Sequence, residues 1–294
     1  MAPVIWLAVL AIVLALALAL VVGVRWFFNW LSPRVDARRR ARDDTYFFAT
    51  CASGVMTRYR WLNRRLPAAP RCRFCLAPFA GAGRILGIKP SRKNPNFCMG
   101  CFEMAPLGAH EMEVGVLFAD IRGFTAWCEG REPEEVERAL NRFYAVSTAV
   151  MGEHDAIIDK LVGDEVMALF LTSFPLLGHG SRACAVMVHS AEELLRRLDA
   201  AEDSLPVGVG LNFGVARVGN VGDGAVKDFT AVGDVVNTAA RLQACARPGE
   251  IVMSDAVFDH VRDRHAKATP VTLELKGKTT AVDAHVLRAI ASRR

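Results

Sequence analysis

Acidic residues are scarce in the first third of this 294-residue chain. From residue 25 to residue 93 the only acids are Asp36, Asp43 and Asp44, and residues 2–24 carry no charge of either sign. The chain also lacks internal repeats and long low-complexity tracts, which excludes a solenoid or a propeller. A cleaved secretion signal is the main rival for residues 2–24 and is not expected. It would need a positive leader, a shorter apolar core and a small-residue cleavage site before a polar mature start.

The apolar segment is the local source of a high hydrophobic content, 52%, and a mean hydropathy of +0.22. As a helix, residues 2–24 would span roughly 34 Å, enough to cross a ~30 Å hydrocarbon core. Positive charge follows at Arg25, Arg34, Arg38, Arg39, Arg40 and Arg42, so the positive-inside rule places the remainder in the cytoplasm. The expectation is a single-pass anchor in the cell (inner) membrane over residues 2–24. A basic juxtamembrane linker, 25–70, would then face anionic membrane lipid. With lipid as the partner of these basic residues, no nucleic-acid binding is expected. Inside the linker, "TYFFATCASGVMTRYRWLNRR" has the apolar and aromatic content of a short packed helix, and "LPAAP" breaks it.

Two C-x-x-C knuckles follow, "CRFC" (Cys72, Cys75) and "CMGC" (Cys98, Cys101). Four thiolates at this spacing close a tetrahedral zinc site, as in zinc ribbons. Four protein ligands leave no open position, so the expected role is structural, stapling a module (71–104) too poor in apolar residues to fold alone. An iron–sulfur cluster is the alternative. Disulfides are not expected in a reducing compartment. Cys51, Cys128, Cys184 and Cys245 are scattered and read as small packing residues.

Residues 111–288 read as one domain. "EVGVLFADI" is a buried strand ending in Asp120, with "RGFT" turning after it. Pro133 opens a helix, with Glu134 and Glu135 well placed in its first turn and Val136, Leu140, Phe143 and Val150 on one face. "DKLVGDEVMALF" (159–170) is a hairpin with Gly163 and Asp164 at its turn. "SRACAVMVHSAEELLRRLDA" is a second amphipathic helix. "LPVGVGLNFGVARVGNVG" and "VKDFTAVG" are two strands, and "DVVNTAARLQACA" is a helix stopped by Pro248 and Gly249. This β-α-β-β-α-β order predicts a ferredoxin-like α+β domain, an antiparallel sheet with helices on one face.

Adjacent strand ends would bring the carboxylates of Asp120 and Asp164 together. Two like charges in one pocket are costly unless a cation is shared, and two Mg²⁺ or Mn²⁺ ions would both relieve the repulsion and clamp a phosphoryl transfer. Asn237 and Arg241, four apart, share a helix face. Taken singly, an acid at a turn or a mid-helix Arg is more often just solvated. Lys160, just before the turn in a half-buried run, is either a snorkelling lysine or an amine aimed at a ligand.

Four segments occur in the order and spacing of one known family: "LFADIRGFT", "DKLVGDEVMALF", "FTAVGDVVNTAARL" and "LKGK". Over 111–285 the chain resembles the class III nucleotidyl cyclases. The resemblance implies a palm-type fold and an active site between two catalytic domains. It also implies metal ligation by Asp120, Asp164 and the carbonyl of Ile121, with phosphate oxygens held by backbone N–H groups around Gly123, Phe124 and Thr125. By the same likeness Asn237 orients the ribose, Arg241 stabilises charge at the α-phosphate, and Lys276 (or Lys278) holds the terminal phosphates. Lys160 and Thr230 read the purine. Lys160 suits adenine, whose N1 accepts a hydrogen bond; guanine presents N1–H and would call for Glu. One copy would supply the carboxylates and the other the remaining groups, so a homodimer builds two equivalent sites. The implied function is a membrane-anchored adenylate cyclase converting ATP to 3′,5′-cyclic AMP and pyrophosphate. The alternatives are a guanylate cyclase or a catalytically silent nucleotide-binding scaffold.

Overall fold

The central strand, β1 (Gly108–Ile121), divides its side chains between two cores. The computed structural model describes residues 54–67, 69–104, 107–172, 179–201, 205–223, 226–275 and 280–289. Helices α1 (Gly54–Arg65) and α2 (Ala82–Ile85) precede β1. After it come α3 (Phe124–Cys128), α4 (Pro133–Glu153), β2 (Ile157–Val162), β3 (Glu165–Leu171) and α5 (Gly180–Asp199). Then follow β4 (Val207–Asp223), β5 (Val226–Val232), α6 (Asp234–Cys245), β6 (Glu250–Ser254), α7 (Asp255–Val261), β7 (Thr269–Leu273) and β8 (Val282–Arg288).

The eight strands form one sheet in the order β2-β3-β1-β4-β6-β8-β7, with β5 paired to β4. Strand β1 runs antiparallel to both β3 and β4, so the first four positions have the expected ferredoxin-like arrangement. Leu117, Ala119 and Ile121 of β1 face a core with Phe143 and Val150 of α4, Met187 and Leu194 of α5 and Val257 of α7. Val114, Val116 and Phe118 face the opposite way, toward Val235 and Ala239 of α6 and toward the cysteine module. The expectation of helices on one face is corrected here. Strand β1 is apolar at both parities, so both faces of the sheet must be covered.

Two devices press α6 onto the sheet. A Cβ on Gly210 of β4 would lie 2.1 Å from the Gln243 amide nitrogen and 2.5 Å from the Ala239 carbonyl oxygen, so only glycine permits this approach. Asn212, also on β4 and buried, donates its Nδ2 hydrogen to the Val235 carbonyl at 3.0 Å.

Residues 71–104 wrap against this domain. Helix α1 packs on the first knuckle, where buried Asn63 donates Nδ2–H to the Cys75 carbonyl at 3.0 Å and Arg60 donates to the Phe74 carbonyl at 2.5 Å. Buried Phe97 and Phe102 meet edge to face at 5.5 Å between ring centres. Phe102 meets Phe229 of β5 in the same way at 5.0 Å.

The expected anchor, 2–24, lies outside the described residues. No helix among the described residues is long and apolar enough to cross a membrane. The longest, α4, carries Glu134, Glu135, Glu137, Arg138 and Arg142. The single-pass inner-membrane placement is therefore corrected: it finds no support in the structure and is dropped.

Gly210→Ala should force α6 away from β4 and lower the unfolding free energy by about 1–3 kcal/mol, the usual cost of overpacking. A shift of the urea midpoint to lower concentration would show it; an unchanged midpoint would contradict the close approach.

Candidate active site

Asp120 stands at the C-terminal end of β1, in register with Glu165 at the start of β3. The turn between β2 and β3 is tied to that end: the Ile121 amide donates to the Asp164 carbonyl at 3.2 Å. Tyr144 of α4 fastens the turn from the other side by donating its hydroxyl to the Gly163 carbonyl. Gly163 itself has φ 58, a left-handed conformation that glycine adopts without strain. Three carboxylates, Asp120, Asp164 and Glu165, are thus crowded together.

Their electrostatics follow from that crowding. Burial pushes the Asp120 carboxyl up, Asp164 adds to the rise, and the neighbouring Arg122 guanidinium opposes it through a direct hydrogen bond. Glu165 is also pushed up, first by burial and then by Asp120 and Asp164. Arg122 cannot fully balance the cluster, and its own buried Nε finds no acceptor. A hard divalent cation with oxygen ligands fits this donor set: the Asp120 and Asp164 carboxylates with the adjacent Ile121 carbonyl.

Beside the carboxylates, Gly123 adopts φ 72 and leads into α3. Phe124 and Thr125 are its first helical residues, so their N–H groups have no acceptor within the helix and are suited to anionic oxygen.

Of the second group of expected residues, Lys160 and Thr230 meet elsewhere on the chain. The Lys160 ammonium donates to the Thr230 hydroxyl oxygen and to Asp159 Oδ1, each at 2.9 Å. The Thr230 hydroxyl donates in turn to Asp159 Oδ2 at 2.6 Å. Residues seventy positions apart are thereby locked into one network around a buried aspartate. The pairing register of β2 shifts between Ile158 and Lys160, and this bulge lets the consecutive side chains of Asp159 and Lys160 meet. Asn237 is exposed and Arg241 half-buried on α6. Lys276 and Lys278 lie outside the described residues.

Among the described residues, no hydrogen bond or ion pair joins Asp120 or Asp164 to Lys160, Thr230, Asn237 or Arg241. Lys160 and Thr230 are joined through Asp159, while Asn237 and Arg241 stand on α6, whose Gln243 comes close to Asp120.

Comparison with known proteins gives this arrangement its family. The profile of the adenylate and guanylate cyclase catalytic domain matches residues 109–289. The chain belongs to this family. Adenylate cyclase 1 of Rhizobium meliloti (strain 1021) is 33% identical over 194 residues, covering 62% of this chain and 29% of the relative. The chain spans 29% and 40% of the length of two curated relatives that it matches. Among solved structures, the adenylyl cyclase CyaB from P. aeruginosa shares 27% identity with a TM-score of 0.54, over 64% of this chain and 98% of that one. The guanylyl cyclase Cya2 shares 27% identity with a TM-score of 0.53, over 61% and 93% respectively.

The cyclase domain of this chain carries a cysteine cluster beside it. The Sγ atoms of Cys72, Cys75, Cys98 and Cys101 all lie within 4.8 Å of one another, and all four residues are buried. Cys75 and Cys98 are 3.6 Å apart and Cys98 and Cys101 3.4 Å, too far for disulfides and close to the about 3.8 Å between sulfurs of a tetrahedral zinc site. Backbone amides of Cys75 and Cys98 point at Cys72 Sγ, at 3.5 and 3.3 Å. Hydrogen bonds from Cys101, Cys75 and Cys98 hold the Cys72 thiol down, while those to Cys72, Cys75 and Cys98 push Cys101 up. Four thiolates would need a cation to coexist here.

A second group, His154, His189 and Glu193, is also close enough to share an ion. There the Arg197 guanidinium already occupies the other Glu193 oxygen and would repel a cation, so the group is an ion-pair network between α4 and α5.

Sequence reasoning missed Asp159, Arg122 and Glu165. Asp159 had a signal, since an acid directly before Lys160 in a buried run needs a partner. Arg122, in the "RGFT" turn, and Glu165, directly after Asp164, flank the expected ligands, and nothing local singles either out.

Replacing Asp120 by Asn removes a carboxyl whose folded value is raised. Such a group costs stability once pH exceeds that raised value and nothing below the unfolded value. In chelator at neutral pH, Asp120→Asn should therefore melt level with the wild type or about 1–3 °C above it, while losing the wild type's stabilisation by Mn²⁺. Calorimetry checks both, and a variant that melts well below wild type in chelator would contradict the crowding.

Proposed function

We propose that this chain is an adenylate cyclase acting as a homodimer, with each active site shared between two copies. The observation that carries the nucleotide choice is the Lys160–Thr230 pair at 2.9 Å. An ammonium beside a hydroxyl offers a donor to adenine N1 and an acceptor to its exocyclic amine. Guanine would turn its N1–H against the lysine. Asp159 limits the conformations of both side chains, so the donor and acceptor are pre-positioned.

Sharing between copies is supported by the lack, among the described residues, of any hydrogen bond or ion pair from Asp120 or Asp164 to Lys160, Thr230, Asn237 or Arg241 within one chain. It is supported also by apolar side chains left in solvent around the second set. Leu161 and Val162 are 41% and 60% exposed at the hairpin, and Val215 and Val232 are 60% and 53% exposed near the start of α6. A two-fold partner would cover such residues while bringing its own carboxylates to Lys160 and Arg241.

The substrate chemistry needs little covalent help. The ribose 3′-oxygen bonds to the α-phosphorus, the bond from that phosphorus to pyrophosphate breaks, and the hydroxyl proton passes to solvent or to the leaving group. Divalent ions, when bound by Asp120, Asp164 and the Ile121 carbonyl, supply charge neutralisation at both oxygens. The N–H groups of Gly123, Phe124 and Thr125 would hold phosphate oxygens, Asn237 would orient the ribose, and the planar donors of Arg241 would face charge growing at the α-phosphate. Lys276 is the candidate for the terminal phosphates. Structural zinc in the Cys72, Cys75, Cys98 and Cys101 cluster would staple the neighbouring module.

Mixing tests the shared site. Asp120→Ala and Asn237→Ala should each be inactive with Mn²⁺ and ATP. A one-to-one mixture should recover roughly a quarter of the wild-type rate, because half of randomly formed pairs are mixed and each holds one intact site. Cyclic AMP measured by mass spectrometry is the readout, and a mixture that stays inactive would overturn the shared arrangement. Lys160→Glu should move preference from ATP toward GTP; a wild type that already prefers GTP would favour the guanylate cyclase reading.

A further inference from the structure

The loop between the two cysteine knuckles reaches the purine-reading network. Its ends are Cys75 and Cys98, whose sulfurs lie 3.6 Å apart, so the cluster closes it into a ring. The loop lies along the free edge of β2, the outermost strand of the sheet. The Ile158 amide donates to the Lys93 carbonyl at 2.9 Å. Asn94 donates to the Ala156 carbonyl and Asn96 to the Gly152 carbonyl, both at 2.7 Å. These backbone-directed contacts fix the loop immediately beside the Asp159 bulge.

From that position the Lys93 ammonium, 13% exposed, donates to the Asp159 carbonyl at 2.6 Å and lies 3.6 Å from the fully buried Asp159 carboxylate. It also pairs with Asp228 of β5 at 2.6 Å, whereas Lys160 stands 3.6 Å from the same aspartate. The cluster therefore holds two carboxylates, Asp159 and Asp228, and two ammonium groups, Lys93 and Lys160. Lys93 takes the Asp228 carboxylate. Lys160 makes its short contacts to Asp159 and the Thr230 hydroxyl, with Asp228 farther off at 3.6 Å, and so retains a donor for a base.

We infer that Lys93 is a specificity-determining positioning residue of the nucleotide site, and that the cysteine module is a working wall of that site rather than a separate appendage. The inference rests on the cyclase reading and adds to it a residue from outside the cyclase domain. Without the Lys93 charge, Asp159 and Asp228 would both draw on Lys160. Its ammonium would be shared between two carboxylates and turned from adenine N1. Lys93 touches no reacting atom, so its loss should act on binding and base choice, not on the chemical step.

The test uses the full chain and measures cyclic nucleotide formed from Mn²⁺–ATP and Mn²⁺–GTP. Lys93→Met should raise KM for ATP about fivefold or more while leaving kcat within about twofold, and should lower the ATP-to-GTP ratio of kcat/KM by a similar factor. Adding Asp228→Asn to Lys93→Met makes the cluster neutral again and should return both quantities most of the way to wild type. That double variant also keeps the test decisive if the single one folds poorly. A well-folded Lys93→Met with wild-type KM and ratio would overturn the inference, and so would a double variant no better than the single. A wild type that cyclises neither nucleotide would instead overturn the cyclase reading itself.

Discussion

The β2–β3 hairpin is fastened at both ends, and those two fastenings organise the rest of the chemistry. At its turn, the Ile121 amide holds the Asp164 carbonyl and Tyr144 holds the Gly163 carbonyl, which crowds three carboxylates at the end of β1. At its base, a bulge turns Asp159 into the protein, where it holds Lys160 and Thr230. The stretch from Asp159 to Glu165 thus contributes to two separate groups of functional atoms. Two copies related by a two-fold axis could place the turn of one against the base of the other, which is the physical content of the proposed shared site.

Much of this was legible in the sequence, for reasons that differ from residue to residue. The place of Asp120 near the end of β1 was readable because an apolar run breaks at that acid. Asp164 and Gly163 were readable because a tight turn between two apolar runs fixes its own tip. Pro133, Glu134 and Glu135 announced the start of α4, which begins where they stand. The placement of α6 on the opposite face was not read, although the double parity of "VGVLFA" contains the reason. Which glycine admits a helix is a fact of three-dimensional approach, and nothing near Gly210 marks it among its neighbours.

The network around Asp159 shows where sequence reading stops. Lys93, Asp159, Lys160, Asp228 and Thr230 come from the cysteine module, β2 and β5, with up to 137 positions between them. No local pattern relates them, because their common cause is a buried carboxylate that must be neutralised. The cysteine cluster was the reverse case. Its spacing alone foretold four sulfurs at one point, and the structure brings them within 4.8 Å. The contact of its loop with the network of Asp159, Lys160 and Thr230 depends on which sheet edge is left open, and β2 supplies that edge.

The proposed chemistry requires above all that the crowded carboxylates form a cation site that works with nucleotide. Counting Mn²⁺ ions bound per chain by electron paramagnetic resonance, with a non-cyclisable ATP analogue present, tests it most directly. The account predicts two ions per chain in the wild type and their loss when Asp120 and Asp164 are both replaced by Ala. Undiminished Mn²⁺ binding in that double variant would contradict it.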